Sequence, residues 1–159
     1  MNWIHLLEKG IWFGFAAMGF AVLFNVPVRT LRLIFLIGAI GGLMKALLLE
    51  LEANVIFASL GGAILVGYVS ILAAHNKHAP PMVFAIPSVI PMVPGVFAYR
   101  MMLGVIQLSG MKNEQYDLVL VETIDNGLKA TFILFSLALG VAIPLLITRK
   151  DSIKKRIIK

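Results

Sequence analysis

Residues 84–99 read Phe-Ala-Ile-Pro-Ser-Val-Ile-Pro-Met-Val-Pro-Gly-Val-Phe-Ala-Tyr. The stretch is apolar enough for a bilayer, yet Pro87, Pro91, Pro94 and Gly95 forbid a regular helix. Each proline removes a backbone donor and clashes with the preceding turn. Hydrocarbon supplies no water to the carbonyls set free, so broken backbone at membrane depth persists only against protein or beside a wet cavity. Transporters build their binding sites in such places, and this segment is the expected functional centre of a transport protein.

The rest of the chain agrees with a membrane setting. It is 60% hydrophobic and 14% charged, where soluble domains are nearer half and a quarter. Five apolar segments are each close to the ~20 residues that cross ~30 Å of hydrocarbon. They run from residue 3 or 11 to 26, 33 to 49, 55 to 74, 81 to 109, and 128 to 147. The expected fold is an all-α integral membrane protein of about five transmembrane helices, the fourth broken by the proline motif. Residues 1–150 form one transmembrane domain and 151–159 a basic cytoplasmic tail. As a straight rod, 81–109 would be about 43 Å long at 1.5 Å per residue, more than the membrane needs; two half-helices meeting at 91–95 solve this. A polar stretch, 111–125, follows, whose Tyr116–Glu122 part reads as a short interfacial helix. Small residues four apart (Gly10/Gly14, Gly38/Gly42, Ala58/Gly62, Ala63/Gly67) share helix faces and permit close packing.

The net charge of +6 is concentrated toward the C-terminus. Arg29 and Arg32 follow span one, Lys77 follows span three, and Arg149 to Lys159 follow span five; by the positive-inside rule this places the N-terminus outside and the C-terminus in the cytoplasm. A basic tail after a span fits a membrane anchor better than a nucleic-acid partner. Residues 11–24 have signal-peptide length, but Glu8 precedes them and no small-x-small cleavage site follows, so a retained first span is expected. The chain has no cysteine and hence no disulfide framework or thiolate metal site. Catalytic and nucleotide motifs are missing, so no enzyme, cofactor or metal is expected; His75 and His78 read as a solvated turn.

Candidate substrate-binding residues cluster at the break. Pro87, Pro91 and Pro94 would free the carbonyls of Val83, Pro87 and Ile90 for a cation, water or ammonium group. The helix restarting at Gly95 offers free N–H groups to a carboxylate. Ser88 and Tyr99 add hydroxyls, and Asn25 is a further polar group beside a proline. Arg100 either faces the pathway, pairing with a solute carboxylate or with Glu50, or snorkels to the interface. Lys45 reads as an interfacial residue, and Asp125, Asn126 and Lys129 mark the entrance of the last span.

Phe24-Asn-Val-Pro-Val-Arg29 together with Pro87-Ser-Val-Ile-Pro-Met-Val-Pro-Gly95 and Tyr99 resembles the threonine/serine exporter (ThrE) family, and the length is similar to the family's small, separate YjjB-like subunits. The resemblance implies an inner-membrane secondary transporter that exports threonine and serine, or a dicarboxylate such as succinate. It also implies a larger YjjP-like partner of five spans, and a complex, or a higher oligomer, with the site at the interface. Two odd-span units joined in series enter the membrane in opposite senses, as inverted repeats do. The alternative expectation is a non-transporting scaffold subunit that stabilises the larger chain.

Overall fold

The computed structural model describes residues 3–110 and 115–157. These residues contain helices and short connections and no strand: α1 (Trp3–Leu23), α2 (Leu31–Glu50), α3 (Val55–Lys77), α4 (Met82–Val89), α5 (Gly95–Gly110) and α6 (Tyr116–Ile157), with 3-10 turns at Val28–Thr30 and Ile90–Met92. Four helices, α1, α2, α3 and α6, are each long and apolar enough to cross a membrane. The pair Met82–Met92 and Gly95–Gly110, bent by 52°, makes a fifth span when counted as one. The all-α membrane fold with a broken fourth segment is therefore present.

Small residues set the packing. A Cβ on Gly38 would lie 2.5 Å from the Cβ of Ala17, and Gly10 and Gly42 are covered by Leu43 and Phe13, so α1 and α2 run antiparallel in close contact. On the next face, a Cβ on Gly62 would lie 2.9 Å from the carbonyl oxygen of Gly41. There α2 and α3 touch backbone to backbone, a geometry only glycine allows. A Cβ on Gly140 would meet Ala63 at 2.6 Å, and one on Gly67 would meet Pro144 at 3.2 Å. Rising numbers pair with rising numbers, so α3 and α6 are parallel. The four-residue glycine and alanine spacing in the sequence thus becomes the helix contacts themselves.

The α6 helix corrects one expectation. Residues 116–122 are not a separate interfacial helix but the start of one 42-residue helix. No proline precedes Pro144 within it, and polar side chains alone do not end a helix. Its length is roughly 63 Å at 1.5 Å per residue, about twice the hydrocarbon thickness. Its second half packs on α3, while its first half packs on α5, where Gly104 sits against Thr123 and Gly127 against Met101. Asp125 and Lys129 lie within the helix, joined by a 2.6 Å ion pair.

Helix ends follow local rules. Asn25 and Glu52 have φ of 55° and 60°. The Val26 N–H reaches the Ala21 carbonyl at 3.0 Å and the Asn25 N–H reaches Val22 at 3.0 Å, the bond pair of a left-handed helix cap. Asn25 is exposed, and its conformation explains its identity without a solute. His78 ends α3 in the same way at φ 51°. We expect Asn25→Val to cost about 1–2 kcal/mol, the left-handed penalty for a side chain without local hydrogen bonding, and Asn25→Gly to be no less stable than wild type, since glycine carries no Cβ penalty at a left-handed cap. Thermal unfolding in detergent checks both. Lost transport in the stable glycine variant would instead give Asn25 a role at the solute.

Candidate functional site

The break between α4 and α5 is built by its prolines. Pro91 cannot donate to the Pro87 carbonyl, nor Pro94 to that of Ile90. The chain tightens into a 3-10 turn in which the Val93 N–H takes the Ile90 carbonyl at 2.9 Å. Val93 then becomes extended, with φ −58° and ψ 136°, and the Pro94 carbonyl accepts the Ala98 N–H at 3.1 Å to start α5. This departure leaves the Met92 carbonyl without a helical partner. The ammonium of Lys45, on α2, donates to it at 2.9 Å.

Both ends of that contact are seated in the bundle. The Met92 side chain is buried where α2 crosses α3: a Cβ on Gly41 would lie 2.7 Å from its Cε, and one on Gly62 would lie 3.2 Å from its Sδ. The same Gly62 position would place a Cβ 3.3 Å from the Cβ of Lys45, so the lysine stem rests on α3. Two adjoining grooves flank the break and share Lys9 and Phe13. One, of about 350 Å³, is lined by Lys9, Phe13, Lys45, Ala46, Leu49 and Glu50. The other, of about 270 Å³, includes Pro91 and Trp12. Two ammonium groups and a carboxylate thus border a space beside the interrupted backbone. A separate polar cleft of about 240 Å³ lies between α5 and α6, lined by Arg100, Gln107, Glu122, Thr123 and Asn126 among others.

Residues 9–147 match the family model described as Threonine/Serine exporter, ThrE. The chain belongs to the threonine/serine exporter family. Over 141 residues it is 29% identical to an uncharacterized protein of Haemophilus influenzae, an alignment that takes in 89% of this chain and 47% of the relative. The chain therefore spans about half the length of this curated relative. No solved structure matches it at a significant level.

Within this threonine/serine exporter family chain, the residues named from the sequence separate into three places. Pro87 and Ser88 are buried inside α4, just before the break, and Pro94 is buried within it; the Ser88 hydroxyl donates to the Ile34 carbonyl at 3.3 Å, so it is engaged with α2. Pro91 reaches a groove, and Gly95 lies at the surface with open space around its Cα. Tyr99 and Arg100 are exposed on α5, and Asn25 caps α1. Arg100 does not meet Glu50: it lines the α5–α6 cleft with Glu122, whereas Glu50 lines the groove with Lys9 and Lys45. Lys45, which reads from the sequence as interfacial, makes a contact that its position alone does not announce: its ammonium donates to the Met92 carbonyl. Lys9 was not singled out. The signal for Lys45 was its isolation as the one charged residue between Arg32 and Glu50; for Lys9, adjacent to Glu8, there was none.

Proposed function

We propose that this chain is the small subunit of a secondary transporter that exports small carboxylate-bearing metabolites, threonine and serine foremost, across the bacterial inner membrane. The observation that carries this reading is the interrupted α4–α5 backbone with Lys45 on its freed carbonyl and a charged groove alongside. Family membership makes transport the expected activity, and binding in such sites uses broken helices near the membrane's middle. The groove carries charges of both signs, which matches a zwitterion: Lys45 or Lys9 for the carboxylate, Glu50 for the ammonium. Its volume is at the lower end of the roughly 300–1,000 Å³ of small-molecule sites, fitting a compact solute.

The partner is a larger five-span subunit of the same family. An alignment limited to about half of its relative supports a unit that works joined to another. Placement of the basic residues supports an outer N-terminus and a cytoplasmic C-terminus.

A dicarboxylate such as succinate is the second reading, favoured by the presence of two lysines at one groove. Counterflow of labelled threonine, serine and succinate in liposomes holding both subunits decides between them. Flux through the larger subunit alone would leave this chain the scaffold role, and no flux of any of the three would remove the reading. Glu50→Gln separates the substrates further. If an amino acid is carried, its ammonium loses a charged partner, and flux falls about tenfold, as expected for one charge-assisted bond. Succinate flux would be unchanged or raised.

A further inference from the structure

Lys45 sits in an unusual electrostatic position. It is the one charged side chain between Arg32 and Glu50 on an otherwise apolar helix. Among the described residues the ion pairs are His5–Glu8 and Asp125–Lys129, so the Lys45 ammonium is matched by no carboxylate within pairing distance. Its hydrogen-bond partner is a neutral backbone oxygen, Met92, 2.9 Å away and 47 residues on in the chain. An ammonium has three donors, and one is accounted for by this bond. The head group also lines the groove shared with Lys9 and Glu50. Its stem is held against Gly62, which leaves the end of the side chain as the part free to exchange partners.

The two sides of the break are held very differently. Met92 is buried between α2 and α3. Three residues later, Gly95 has nothing within 4 Å of where a Cβ would be, and Val93 between them is exposed. A bond at Met92 therefore acts on a turn in which the buried Met92 and Pro94 alternate with the exposed Val93 and Gly95.

Resting on the transport reading of the same groove, we propose that Lys45 is a solute-operated latch on the broken helix. With the groove empty, its ammonium holds the Met92 carbonyl and fixes the turn at 92–95. A carboxylate entering beside Lys45 offers a charged acceptor, which binds an ammonium more strongly than a neutral carbonyl does. The ammonium transfers to it, the Met92 carbonyl is released, and the turn is free to move. Lys45 is thus a positioning residue that reports occupancy of the groove to the backbone, and it selects for solutes that carry a carboxylate.

The absence of cysteine from the chain makes a direct test available. Val93→Cys places one thiol at the turn, and its rate of reaction with N-ethylmaleimide is followed in liposomes containing both subunits, with and without saturating threonine. With Lys45 present, threonine should raise the rate several-fold. In Lys45→Met the rate should be high without threonine and indifferent to it, while export falls about tenfold, the size expected for a lost charge-assisted bond. Lys45→Arg should retain most of the response. Lys45→Gln, which keeps a neutral donor, should label slowly and ignore threonine; it also serves if the methionine variant fails to insert. A threonine response in Lys45→Met or Lys45→Gln equal to that of the parent overturns the latch. If the parent complex carries neither amino acids nor succinate, the transport reading falls, and the latch is decided by labelling without solute: equal rates in the Lys45 and Lys45→Met proteins overturn it.

Discussion

Replacing Pro91 and Pro94 together with alanine should reduce export at least about a hundredfold while the protein still inserts. Each alanine restores an N–H, one for the Pro87 carbonyl and one for that of Ile90, and removes a ring that clashes with the preceding turn; a helix-interior proline costs about 3 kcal/mol or more. Two such terms favour the continuous helix by roughly 6 kcal/mol, enough to compete with the packing that holds the 52° bend. As α4 and α5 align, Met92 rotates out of its seat and the Lys45 contact is lost. Spin labels at Ile86 and Val96, both exposed, would report the lengthened separation. Gly95→Ala is the matched control. Its Cβ meets nothing and the backbone there has no positive φ, so the variant should fold as wild type and show whether close approach to Gly95 matters for the solute. Unchanged export from the double variant would separate the break from transport.

The second large effect is structural. Gly62→Leu should lower stability by about 3 kcal/mol or more, at the upper end of overpacking costs, and sharply reduce the amount of protein in the membrane. The first new atom would lie 2.9 Å from the Gly41 carbonyl oxygen, and a backbone atom inside a helix cannot rotate aside. The remaining atoms would push on Met92 and Lys45, so residual protein should also be transport-defective. Gly19→Leu, at a position with nothing within 4 Å, should be tolerated. Thermal unfolding in micelles of the two variants tests this, and equal midpoints would show that the α2–α3 crossing is looser than its geometry.

Sequence reading succeeded where the cause is local. Proline breaks a helix whatever surrounds it, so the interruption at 91–95 was legible, as were the small-residue faces. It failed where the partner is distant or the signal ambiguous. Nothing near Lys45 in sequence announces the Met92 carbonyl, which arrives from 47 positions away. Arg100 reads as a partner for a solute carboxylate or for Glu50, but α5 carries it to the cleft beside Glu122 of α6. At Asn25 the signal is ambiguous, because a left-handed cap and a binding residue choose the same amide side chain, and the structure shows the cap. Polarity over 116–125 does not end the helix; it marks a change in what the helix touches, since α6 is already under way at Tyr116.

The length of α6 has a mechanical consequence. One half of this rod is clamped to α3 through Gly140 and Ala63, the other to α5 through Thr123 and Gly104. A swing at residues 93–94 is therefore geared to the bundle by a lever whose fulcrum is the Ala63–Gly140 crossing. The joint cannot pivot unless Gly104 slides along Thr123 or the rod bends between Thr123 and Gly140. Tightening either clamp would stall the machine without touching its cargo.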